Sequence, residues 1–140
     1  MANYTVKELE DLLKIAGFVY TVSNNGSHQS YVHTKTGIEN PLPIHGKDLN
    51  SGNTAESIIS YVIYASYVAG DDIENNKKVS PAIRNYIKKK KKNIEKNILN
   101  VFPTTYRRNH ILETETEARN HIEEIRRHNG IIVEQTGPSM

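Results

Sequence analysis

The 140-residue chain contains no cysteine, so neither a disulfide framework nor a Cys-ligated zinc site can be built from it. No apolar run approaches the roughly 18 residues of a membrane span, and the N-terminus lacks a basic-then-apolar signal pattern. A cytoplasmic protein with no membrane partner is the expectation. Positive charge is scarce at the start: residues 1–76 carry 4 basic and 9 acidic side chains. Negative charge is scarce in the middle, where residues 77–108 carry 11 basic and 1 acidic, and residues 109–140 carry 3 and 6. The overall charge of +2 therefore hides a +10 block between a −5 and a −3 segment. Such a block suits a phosphate backbone, whose affinity comes largely from counterion release, although a solvated helix face gives the same pattern.

The apolar spacing predicts the elements. Thr5 with Glu8 forms a capping box, and Leu9, Leu12, Leu13 and Ala16 recur at helical intervals until Gly17 supplies a left-handed cap. Aromatic and β-branched residues over 18–23 read as a strand, Asn25-Gly26 as a hairpin turn and 27–34 as its partner strand. After a turn at Lys35-Thr36-Gly37, residues 39–44 make a third strand whose Pro41 and Pro43 place it at a sheet edge. Asn53 and Glu56 open a second helix that ends at Gly70. The expected fold is α+β, an α-β-β-β-α sandwich over residues 1–70, followed by a polar linker at 71–79 and a basic, mainly helical extension over 80–135. In that extension Ser80-Pro81 begins a long exposed helix carrying Lys88, Lys89, Lys90, Lys91 and Lys92, which Pro103 stops. Thr114 and Glu117 cap a further helix that ends at Gly130. A strand at 131–134 follows, and a disordered tail is expected over 136–140.

Two imidazoles stand out, His28 in Gly26-Ser27-His28 and His45 in Pro43-Ile44-His45-Gly46-Lys47. Imidazole titrates near neutral pH, so it can take a proton from a ribose 2′-hydroxyl or give one to a leaving 5′-oxygen. His28 starts a strand directly after a tight turn, a rigid place from which to project. Ser27 either donates to a phosphate, orients the His28 ring or caps its own turn. His45 acts as a second acid/base, binds phosphate or is structural. Alternation puts His28, Ser30 and Val32 on one strand face and Gln29, Tyr31 and His33 on the other, which makes His33 a surface residue. No carboxylate accompanies Ser27 with the signature of a catalytic triad.

With these motifs in register, residues 6–68 resemble the HicA toxins of bacterial type II toxin–antitoxin modules. The resemblance rests on Ala16-Gly17-Phe18, on Gly26-Ser27-His28 with Tyr31, on Pro43-Ile44-His45-Gly46-Lys47, and on Leu49-Asn50-Ser51-Gly52-Asn53-Thr54 leading into a helix with Ile58. It implies a double-stranded-RNA-binding-like fold and a metal-independent endoribonuclease whose catalytic histidine is His28. It also implies a HicB-like antitoxin that covers the site, and no cofactor or metal. This chain departs from the family in having Asn24 and Asn25 before the motif and no Lys or Arg on the second helix, so its N-terminal half is acidic.

The basic segment offers the compensating surface, with Lys88–Lys92, Lys96, Arg107 and Arg108, together with Lys47, as the expected phosphate contacts. The expected reaction is phosphodiester transesterification on RNA. The alternative is a phage-encoded anti-CRISPR inhibitor in which the same domain acts on Cas9 or its guide RNA, by damage or by binding without turnover.

Overall fold

The computed structural model describes residues 4–22, 29–40 and 52–130. Helix α1 (Val6–Ala16) begins at the expected capping box: Glu8 N–H donates to Thr5 Oγ1 at 3.0 Å, and Thr5 N–H donates back to the Glu8 carboxylate at 3.3 Å. Gly17 ends the helix at φ 100°, a conformation that only glycine adopts without strain, and turns the chain directly into β1 (Phe18–Val22). Strand β2 (Gln29–His33) pairs antiparallel with β1, and β3 (Glu39–Asn40) pairs antiparallel with the other side of β2, giving the order β1-β2-β3. In this register Phe18 lies opposite His33 and Tyr20 opposite Tyr31.

Helix α2 (Gly52–Ala69) is the axis of the molecule. It buries one broad apolar face, Ile58, Ile59, Val62, Ile63, Ala65 and Val68, while Ser57, Ser60, Tyr61, Tyr64 and Tyr67 on the opposite side are half-buried. A helix with no fully exposed side over residues 55–69 packs against neighbours on most of its surface. Here α1 and β3 cover part of it, and elements of the C-terminal half cover the rest. That arrangement explains why residues 57–70 contain no charged side chain. Each buried Ile or Val contributes about 1.5–3 kcal/mol by leaving water, so the C-terminal half stabilises α2 directly.

The C-terminal half departs from the sequence expectation. Helix α3 (Pro81–Lys91) has its Ser80 cap, with Ile83 N–H donating to Ser80 Oγ at 3.4 Å, but it stops at Lys91 instead of running to Phe102. Two 3-10 turns follow, Ile94–Lys96 and Ile98–Val101. Then comes helix α4 (Thr104–His110), which begins just after the Pro103 expected to end helical structure. Five consecutive lysines repel across a helical turn, and Asn93, Asn97 and Asn100 offer the backbone competing hydrogen bonds. Helix α5 (Glu115–His128) has the expected capping box at Thr114 and Glu117.

The α3 helix is not an exposed appendage, because Ile83 and Ile87 are buried in the same apolar cluster as Leu9 and Ile58. The polar stretch 71–79, expected to be a linker, buries Ile73 and Val79 in that cluster too. Polar ties reinforce the joint. The Arg126 guanidinium donates to the carbonyls of Tyr67 and Val68 at the end of α2, and the Asn129 amide donates to the Lys35 carbonyl at 3.2 Å. The observed architecture is therefore mixed α+β, with five α-helices and a three-stranded antiparallel sheet among the described residues. No helix among them is long and apolar enough to cross a membrane. The strand expected at 131–134 and the tail at 136–140 lie outside the described residues.

Candidate functional site

Ser27, His28, His45 and Lys47 lie outside the described residues. The basic residues expected to meet phosphate are described, and they divide into two groups. Lys88, Lys89, Lys90 and Lys91 occupy the last turn of α3 and Lys92 follows them, a position where the helix dipole favours cations. Lys96 sits in the next 3-10 turn. Lys88, Lys89, Lys92 and Lys96 are exposed with no carboxylate partner among the described residues. Lys91 is different. Its ammonium donates to both Glu74 carboxylate oxygens, at 2.8 and 3.0 Å, in a half-buried pair, so it is engaged internally and does not count toward the free positive face. Lys90 lies 5.5 Å from the centre of the Tyr86 ring. Arg107 and Arg108 belong to α4, which is anchored elsewhere, on the turn between β2 and β3.

That anchor is a cluster of rings which sequence reasoning did not single out. Phe102 and Tyr106 stack at 5.1 Å, and Tyr106 and His110 stack at 3.9 Å, with interplanar angles of 11° and 16°. His121, from α5, meets the edge of this run, 5.6 Å from Tyr106 and 5.0 Å from His110. The Tyr106 hydroxyl donates to the Thr36 carbonyl at 2.9 Å. Its single proton is thereby used, so the 2.8 Å contact with His121 is one in which Nε2–H donates to the phenol oxygen. The neutral His121 ring then carries its lone pair on Nδ1. His110 Nδ1–H donates to the Tyr106 carbonyl at 3.0 Å, which leaves Nε2 as its unprotonated nitrogen. Burial pushes the Tyr106 phenol up to about 12. Burial lowers His121 as well, and the neighbouring His110 lowers it further.

His33 shows the opposite design, and it corrects the expectation of a surface residue: it is fully buried. Its Nε2–H donates to the Ala16 carbonyl at 2.8 Å, and Nδ1 accepts from Thr36 Oγ1 at 3.1 Å. Thr36 Oγ1 in turn accepts from Ile38 N–H at 3.1 Å. The ring meets Phe18 edge-on at 4.9 Å. Both nitrogens are satisfied inside the protein, and burial lowers its pKa against the smaller opposing effect of the Ala16 contact. A β-carbon on Gly17 would sit 3.4 Å from Nε2, so the close turn and the histidine fit together. Tyr31 and His33 face the core, and Ser30, placed by alternation on the other face, is buried as well.

One signal in the sequence pointed to the ring cluster: Phe102, Tyr106 and His110 recur every fourth residue. Reading Pro103 as the end of helical structure concealed it. Among the described residues no group of three or more His, Asp or Glu is arranged to hold a metal ion. Compared with protein-family models, curated proteins and solved structures, the chain finds no match.

Proposed function

We propose that the chain is a HicA-like RNA-acting protein, a metal-independent endoribonuclease that draws RNA to a basic helical face and cleaves it with His28 as acid or base. The observation that carries the reading is the exposed set Lys88, Lys89, Lys92 and Lys96, without carboxylate partners among the described residues, on a chain whose first half is acidic. Uncompensated ammonium groups at one end of a helix raise local polyanion concentration and bind phosphate through counterion release. The element order α1-β1-β2-β3-α2 is the order the resemblance implies, and the N-terminal half has few cations of its own. In the proposed reaction His28 removes the 2′-hydroxyl proton or protonates the leaving 5′-oxygen, and Ser27, His45 and Lys47 hold the phosphate.

Cleavage of a mixed RNA panel in EDTA tests this, with a Cas9 guide RNA included both free and bound to Cas9. The wild type is expected to cut and His28→Ala to lose at least a hundredfold in rate, on the order of the contribution of a positioned acid or base. Equal cleavage by both proteins would remove His28 from the mechanism. Protection of RNA by an added HicB-like protein would identify the antitoxin as a partner. Binding to Cas9 or its guide without cleavage would place the chain among inhibitors instead.

A further inference from the structure

The run Phe102, Tyr106, His110 ends at the exposed His110 ring, which lines an open cleft of about 910 Å³. From this we propose that the cleft seats one nucleobase and its phosphate from single-stranded RNA, the base stacked on His110 and the phosphate held by Arg107. The assignment rests on the RNA reading above and adds to it a site whose described lining includes none of the lysines of the basic face.

Three observations carry it. First, the volume falls within the range of small-molecule sites and takes a nucleotide. Second, the His110 ring is fixed before any ligand arrives: Tyr106 covers one side at 3.9 Å, and the Nδ1–H bond to the Tyr106 carbonyl sets its rotation. A base that stacks there extends an existing column of three rings and orders no flexible side chain, which is the condition for affinity from a single contact. The bond at Nδ1 leaves Nε2 to face the ligand as an acceptor when neutral or as a donor when protonated.

Third, the polar lining matches a nucleotide. Arg107 spends one Nη2 donor on Thr104 Oγ1 at 3.2 Å, buries its Nε and has no carboxylate partner among the described residues, so its remaining Nη donors can meet a phosphate oxygen. Asn100, in the preceding 3-10 turn, and Asn109, within α4, bring amides that can both donate to and accept from a base edge. Glu39 of β3 is the single acid of the lining, an acceptor suited to an exocyclic amine or a ribose hydroxyl.

A base joined to its phosphate also occurs as a free nucleotide, and the test separates the two sources. Fluorescence anisotropy of a mixed-sequence ten-nucleotide RNA with 2′-O-methyl riboses, which the proposed transesterification cannot cut, the same RNA with abasic sites, and competing adenosine 5′-monophosphate is measured on the full chain. His110→Ala and Arg107→Gln are each expected to weaken binding of the intact RNA about tenfold. His110→Tyr, which keeps a ring, should restore most of the loss, and the abasic RNA should be indifferent to His110→Ala. The wild type gives an independent reading, since the His110 imidazole resonances should shift on titration with RNA even where a variant folds poorly. Intact RNA binding that ignores both cleft variants and leaves those resonances unmoved, yet falls with the lysine variants, would overturn the cleft and leave the RNA reading standing. No RNA binding by the wild type would overturn both. His110-dependent capture of the mononucleotide alone would overturn the RNA assignment in favour of a free nucleotide.

Discussion

Thr36 stands between two histidine systems, and they use imidazole in opposite ways. Through Oγ1 it donates to His33, and through its carbonyl it accepts from Tyr106, which in turn accepts from His121. On the His33 side every nitrogen is bonded within the protein and the ring is sealed under α1 and the sheet. On the His121 side the same kind of chain ends in the His110 and His121 rings, each with one nitrogen left over, and His110 is exposed. A satisfied, dry imidazole is a strut, whereas a fixed imidazole with a free nitrogen at a cleft can meet a ligand.

Truncating the strut has the largest expected effect. His33→Ala leaves a cavity beside Phe18 and strips hydrogen bonds from the Ala16 carbonyl and the Thr36 hydroxyl, and the expected loss is about 3 kcal/mol. His121→Ala loses one hydrogen bond and the edge contacts of its ring at a half-buried site, for about 1–2 kcal/mol. Urea unfolding of the two variants decides the matter, and equal losses would break the comparison. Tyr106→Phe sharpens it from the middle of the chain: it keeps the stacked rings but removes both hydroxyl bonds, at a cost of about 1–2 kcal/mol. The same variant should lose a feature at high pH. The Tyr106 phenol ionises near 10 in the unfolded chain and at about 12 in the folded one, so wild-type stability is complete below pH 10 and falls as pH rises toward 12. In Tyr106→Phe that part of the alkaline decline disappears.

Low pH reads both histidines at once. Folding lowers the pKa of His33, through burial, and of His121, through burial and the nearby His110, from an ordinary 6.5. Above 6.5 both rings are neutral in both states and stability is complete. As pH falls below that value the unfolded chain takes up protons that the folded one refuses, and stability declines through the lowered folded values. The urea midpoint at pH 5.5 should therefore lie below that at pH 7.5. The decline should be shallower in His33→Phe, which keeps the ring volume without the titration. An unchanged slope would mean that the acid sensitivity lies elsewhere.

The local signals in the sequence were sound where chain neighbours alone decide the outcome. The capping boxes at Thr5 and Thr114, the Gly17 cap and the Ser80 cap each involve residues three or four apart, and each is present. Expectations failed where distant partners decide. Alternation made His33 a surface residue, but Ser30, Tyr31 and His33 are all buried, because what covers a strand is set by elements distant in the chain. The second helix showed its apolar surface in the sequence, yet only the packing of α3 and α5 explains why it carries no charged side chain after Glu56. Lys91 looked like one of five equivalent lysines until Glu74, seventeen residues earlier, claimed it. The ring cluster joins Thr36 to Tyr106 across 70 residues, a distance no periodicity spans.

The smallest stability effect, and the one that separates surface from interior most cleanly, is expected at the lysine face. Changing Lys88, Lys89, Lys92 and Lys96 together to glutamine should alter unfolding by no more than about 0.5 kcal/mol, because exposed side chains without partners contribute little to the folded state. Lys91→Gln should cost more than any one of them, since it strands the half-buried Glu74 carboxylate. The order reverses for RNA. On the counterion-release argument the fourfold variant lowers the salt dependence of single-strand binding by up to about 3 logarithmic units per decade of salt, while Lys91→Gln leaves it nearly unchanged. If Lys91 weighs as much as its exposed neighbours in the salt slope, the Glu74 pair opens when RNA arrives, and the free positive face is one lysine larger than the resting protein displays.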